Sequence, residues 1–181
     1  MAPAFRWNPA RMIAQETFDR LLPVASAWAK TQEELILARG TPLADRYAAD
    51  AERLGINDIA RIRVLVVDRM PLPEDDELAQ AARQTQIITE ASRGVAIGHG
   101  IIIRADAWGN RELLLHQMVH VLQCERSGGL EAYVRSYLFD RHQSEEFSVG
   151  DFEEEARRIA HALFVSEQAG NKLATNRSVV A

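Results

Sequence analysis

Asn110-Arg111-Glu112-Leu113-Leu114-Leu115-His116-Gln117-Met118-Val119-His120-Val121-Leu122-Gln123 is the stretch on which the reading of this chain turns. Asn110 is a natural N-cap, and Leu114, Leu115, Met118, Val119 and Leu122 recur at helical spacing until Gly128-Gly129 ends the pattern. His116 and His120 therefore project from one helical face about a turn from each other, where both imidazoles can reach a single metal ion. They fall in the most apolar part of the helix. Two histidines buried there without a shared partner would leave polar nitrogens in a dry core, which favours a metal site over a pair of unrelated core residues.

A zinc site takes three protein ligands and keeps its fourth position open. Downstream, Asp151-Phe152-Glu153-Glu154-Glu155-Ala156-Arg157-Arg158 reads as the start of another helix, with successive carboxylates in its first turn. Acidic residues at a helix N-terminus also complement the macrodipole and help with capping, so most of this run needs no further role. Spacing alone leaves open which carboxylate turns inward.

Leu115 to Gln123, then Gly128-Gly129, a short helix through Tyr133 and Tyr137, and Phe152-Glu153-Glu154-Glu155-Ala156 together resemble the gluzincin type of zinc metallopeptidase. Nearest in pattern are small bacterial metallopeptidase domains of unassigned substrate, which read H-E-L-x-H-V-x-Q and later E-x-E-A. The resemblance spans positions 41 to 160 in outline, with its specific motifs between 110 and 160. It implies that His116, His120 and Glu153 hold one Zn2+, with Glu155 as the alternative third ligand and Glu154 solvated or capping. It also implies hydrolysis of a peptide or protein substrate.

Two positions depart from the pattern. Gln117 stands where the family has the glutamate that takes a proton from the attacking water, and glutamine does not ionise. Arg157 stands where many gluzincins carry an aspartate that orients a ligand histidine. Gln117 has two explanations: a natural substitution that makes a pseudoenzyme, or an engineered Glu→Gln in an otherwise intact peptidase. Retention of both histidines and the distal glutamate favours the second. The expectation is a zinc metallopeptidase that is inactive or strongly impaired as written. The alternative is a catalytically silent, zinc-stabilised module that binds a partner protein; a third reading has no metal and two core histidines.

A peptidase also needs a donor for the oxyanion opposite the metal. Tyr133, Tyr137 and His142 are the candidates, although tyrosines at helical spacing also suit a core. His142 lies in the polar run Arg141-His142-Gln143-Ser144-Glu145-Glu146, expected to be a solvated loop. In zincins the strand before the metal helix commonly forms the edge along which a peptide lies. Gly98-His99-Gly100 before Ile101-Ile102-Ile103 would allow such an approach, and would equally suit a bulge with His99 exposed.

With 181 residues, 47% of them hydrophobic, the chain is long enough for one domain with a substantial core. The expected class is α+β and zincin-like: a mixed sheet with the metal-binding helix, an N-terminal helical extension over 1–40, the domain proper over 41–170 with a helical C-terminal part, and a flexible tail over 171–181. Helices are expected over 10–38, broken near Pro23 and ended by Gly40, from Thr41-Pro42 to Gly55, and from Glu74 to Gln84. Strands are expected over Arg61 to Val67, Gln86 to Thr89, and Val95 to Arg104. A net charge of -5 offers no basic field for nucleic acid. The single Cys124 excludes an internal disulfide, fits a reducing compartment and is expected to be a small buried residue. No stretch is long and uncharged enough to span a membrane. Leu21 to Ala29 has the look of a secretory core, but Glu16 and Asp19 before it and the lack of a compact basic start favour an amphipathic helix, and a cytoplasmic location over export.

Overall fold

Ile101, Ile102 and Ile103 are consecutive and none is more than 2% exposed. A strand achieves that only when both faces of its sheet are covered. In the computed structural model, which describes residues 14–143 and 150–178 and side chains no further than 167, these isoleucines lie in the interior strand of a four-stranded mixed sheet. The strands are β1 (Thr41–Pro42), β2 (Arg63–Val67), β3 (Gly94–Ile97) and β4 (Gly100–Arg104), in the order β1-β2-β4-β3. β2 and β4 run parallel, with Val64 paired to Ile101, while β1 and β3 run antiparallel to their neighbours.

Side chains alternate across a strand, so Ile101 and Ile103 share one face and Ile102 takes the other. The described residues form six α-helices around the sheet: α1 (Gln15–Arg39), α2 (Asp45–Leu54), α3 (Asp76–Thr85), α4 (Arg111–Arg126), α5 (Leu130–Gln143) and α6 (Asp151–Ser178). Ile101 and Ile103 pack with Leu115, Met118 and Val121 of α4 and with Ala160 of α6. Ile102 packs against Ala29 and Ile36 of α1, with Leu130 and Val134 of α5 alongside. The fold is therefore α+β, and none of its described helices is long and apolar enough to cross a membrane.

α4, the helix that matters most, is fixed at its start. Asn110 caps it, its side chain accepting from the Leu113 amide at 3.0 Å. Arg111 forms a two-pronged ion pair with the buried Asp50 of α2, at 2.7 and 2.9 Å.

Several local expectations change. Thr41-Pro42 pairs with β2, and the helix expected from there starts at Asp45. Gln86 to Thr89 is not a strand: Gln86 adopts a left-handed conformation, φ 58°, that ends α3. α1 runs unbroken through Pro23, which sits on the exposed side where water can replace the lost donor. Residues 15–39 are part of the core, through Ala29 and Ile36, and α6 stays helical through 171–178. The expected helix start at 10–13, Ser144-Glu145-Glu146, and 179–181 of the expected tail lie outside the described residues.

The largest correction concerns Gly98-His99-Gly100. β4 is an interior strand, and the edge on that side of the sheet is β3. Gly98 and His99 form the two-residue connection of the β3–β4 hairpin, with Gly98 at φ 61°. Both glycines lie against α1: a Cβ on Gly98 would strike the Glu33 carboxylate, and one on Gly100 would lie 2.8 Å from Ile36 Cβ.

His99, only 9% exposed, lies between two carboxylates. Its Nδ1 is 3.9 Å from Glu33 Oε1 and its Nε2 is 3.1 Å from Glu125 Oε1. Glu33 Oε1 also accepts the His99 backbone N–H at 3.0 Å and faces Arg61 at 3.4 Å. Glu125 accepts the amides of Asn57 and Asp58 at 2.8 and 2.9 Å. The Glu33 carboxylate and then that of Glu125 outweigh burial and raise the imidazole pKa. Burial works against ionised Glu33 and Glu125, yet these partners hold both carboxyls below their ordinary value.

The sign of the pH effect follows. The histidine's contribution is complete below its ordinary 6.5 and is lost as pH rises through the raised folded value. The carboxylates' contribution is complete above their ordinary 4.5 and is lost as pH falls. The urea midpoint should decline as pH is raised from about 6 to about 9, and His99→Gln should flatten that slope; an identical slope in the variant would contradict a charged network.

Candidate metal centre

α4 and α6 pack along their length, with Ala156 and Ala160 of α6 fully buried between them. The small side chains let the two backbones approach, and that approach brings Glu153 over the histidine pair. Successive residues of a helix point about 100° apart, which sorts the three glutamates. Glu153 faces α4, Glu154 pairs with Arg157 on the exposed side, and Glu155 meets Gln123 and Arg126. Phe152 steers the start of α6 by packing its ring on Tyr133 and Tyr137 at 5.6 and 6.0 Å.

The result is a cluster of three ligand atoms. His116 Nε2 and His120 Nε2 are 3.1 Å apart. Glu153 Oε2 lies 3.2 Å from His116 Nε2, and Glu153 Oε1 lies 3.2 Å from His120 Nε2. Zinc ligands about 2.1 Å from a tetrahedral centre stand about 3.4 Å from one another, so these atoms suit a common centre with little adjustment. No other group of three metal-ligating side chains converges among the described residues, and Glu155 is not part of this one.

Two of the three side chains, His120 and Glu153, are held from behind. His120 Nδ1 lies 2.8 Å from Gln123 Oε1 and 3.1 Å from the Tyr133 hydroxyl, so with Nε2 free to coordinate, its N–H donates to these oxygens. Gln123 in turn donates to Glu155 Oε2 at 2.8 Å and to the Phe152 carbonyl at 2.9 Å. Tyr137 donates its hydroxyl to Glu153 Oε1 at 2.5 Å. Burial disfavours an anionic Glu153, but hydrogen bonds from His116 and His120, and then Tyr137, hold its carboxyl far below the usual carboxylate range. Burial first, and the Glu153 charge second, push both tyrosine hydroxyls well above their ordinary pKa, so both stay protonated.

Gln117, 4% exposed, stands beside the cluster, and its Oε1 is buried with no hydrogen-bond partner. β3 passes close over it: a Cβ on Gly94 would lie 3.3 Å from Gln117 Cγ. The cluster and Gln117 form one wall of a cavity of about 420 Å3. The other walls are mainly apolar, with Leu21 and Trp28 from α1, Leu78 from α3, Val95 from β3 and Leu138 from α5. The donor set, its spacing and the orphaned acceptor at the cavity fit a zinc ion with one position open to the cavity.

The oxyanion candidates are all accounted for. Tyr133 and Tyr137 act on ligands, as above. His142 is not in a solvated loop: it is buried near the end of α5, its Nε2 3.1 Å from Gln15 Oε1 and its ring stacked on Phe18 at 4.7 Å. Cys124 is buried, its thiol pushed up to about 12 mainly by burial, and it lies outside the cluster. Sequence reasoning missed Gln123 as the support of His120, though the signal was present: it sits three residues on, on the same helical face.

Compared with family models, curated proteins and solved structures, the chain matches none.

Removing the support should weaken metal binding without abolishing it. Gln123→Ala should lower zinc affinity roughly 10- to 100-fold, measured by competition with a chromophoric chelator. An unchanged affinity would show that Gln123 does not orient His120.

Proposed function

We propose that the chain is a zinc metallopeptidase of gluzincin type that lacks its general base, with His116, His120 and Glu153 as the ligands. The observation that carries this reading is the convergence of three ligating side chains, with nearest contacts of 3.1 to 3.2 Å between each pair, on a cavity beside Gln117. The zincin-like character of the fold is part of the same proposal, supported by a mixed sheet whose interior strand leads into the histidine helix.

A zinc ion held there supplies Lewis acidity to a carbonyl in the cavity. The rest is the work of the chain's own side chains. Gln123 and Tyr133 fix the ring of His120, and Tyr137 fixes the carboxylate of Glu153, so that the ligand atoms stay aimed at the cavity. Gln117 Oε1 can accept a hydrogen bond from a group at the open position but cannot remove its proton. β3 offers its unpaired side as the place where an extended peptide can align, next to Gln117. The apolar walls suit an apolar substrate group.

One observation also suits a second reading, that of a silent protein-binding module: the residue best placed to act as base is a buried amide. Restoring the carboxylate separates the two. With zinc bound, Gln117→Glu should raise hydrolysis of casein or a mixed peptide library by about 100-fold or more over the Gln117 protein. A zinc-loaded Gln117→Glu protein that cleaves nothing would overturn the peptidase reading and leave the binding module.

A further inference from the structure

Tyr133, Tyr137 and Arg141 recur every four residues on α5 and so share one helical face, and all three line the cavity. The two tyrosine hydroxyls are committed to His120 and Glu153. Among the described residues, Arg141 meets no carboxylate. Its Nη2 donates to the Thr85 carbonyl at 2.8 Å, while its Nε is buried with no hydrogen-bond partner. Among the described residues lining the cavity, Glu153 is the only acidic one, and its oxygens face the histidines. A partly buried guanidinium with an unused donor is costly to maintain unless an anion completes it.

We propose that the cavity takes the C-terminal end of a short peptide, its apolar side chain against the walls and its terminal carboxylate on Arg141. The inference rests on the metallopeptidase reading and narrows it to ligands entered from the carboxyl end. Arg141 lies one turn, about 5.4 Å along the helix, beyond the tyrosine that holds Glu153. Extended peptide advances about 3.3 Å per residue, so one or two residues separate the carboxylate from a carbonyl at the cluster. A volume of about 420 Å3 accommodates a ligand of that size. Arginine suits the role because its planar fork matches a carboxylate.

The test is calorimetric titration of the full chain, with zinc supplied and zinc-free, using acetyl-Leu-Phe, acetyl-Leu-Phe-amide and decanoate. The free acid should bind about tenfold or more tighter than the amide in both states, and tighter than decanoate. Arg141→Met should remove the preference for the acid with zinc stoichiometry unchanged, and Arg141→Lys should keep part of it. Equal affinity for acid and amide, a preference that survives Arg141→Met, binding of decanoate as tight as the peptide, or no binding of any probe would each overturn the proposal. Zinc content measured on the same samples keeps the two readings apart. A chain that binds zinc without discriminating overturns this inference alone. One that discriminates but holds no zinc overturns the metallopeptidase reading and leaves the role of Arg141 standing.

Discussion

Everything at the centre of this molecule depends on one half-buried anion, the carboxylate of Glu153. Taking a carboxylate out of water costs several kcal/mol unless partners replace its hydration. Here those partners are two imidazole nitrogens and a tyrosine hydroxyl, with no lysine or arginine in ion-pair contact among the described residues. Two imidazoles and a carboxylate that share a centre are a poor ion pair when the rings are neutral, and a good cage for a divalent cation. The structure around them reads as support for that arrangement: the small residues Ala156 and Ala160 that let α6 lie against α4, the amide of Gln123, and the aromatic wedge of Phe152.

The cavity has a separate origin. It exists because α1 lies across the face of the sheet opposite α4, close enough that Gly98 and Gly100 admit no side chain. Ile36 is fully buried in that contact, and earlier turns of the same helix supply Leu21, Ala25 and Trp28 to the cavity wall. The helix that shapes the ligand space is therefore also a structural layer of the domain. α5 joins the two halves, since Val134 packs with the α1 side while Tyr133 and Tyr137 reach the ligands.

Much of this was legible in the sequence. The α4 helix, its cap at Asn110, the shared face of His116 and His120, and the strand at Arg63 to Val67 all follow from local chemistry and periodicity. The ligand set needed more than spacing, because only the packing of α6 on α4 decides between Glu153 and Glu155, which point about 200° apart around the helix. The misses share a cause. Gln86 to Thr89 has the apolar, β-favouring residues of a strand, but the helix before it ends in a left-handed turn that uses up those positions. Gly98 and Gly100 looked like an approach for a substrate because a sequence does not show that residues about 65 positions earlier, Glu33 and Ile36 of α1, occupy the space. His142 looked solvated from its charged neighbours, yet the last turn of α5 carries it under Phe18.

The most direct test of the account is the zinc content of the full chain by native mass spectrometry after zinc is supplied and excess removed, beside Glu153→Ala and Glu155→Ala. The account predicts one zinc per chain, lost in Glu153→Ala and kept in Glu155→Ala. A chain that holds no zinc, or one that holds it equally well without the Glu153 carboxylate, would contradict the centre described above.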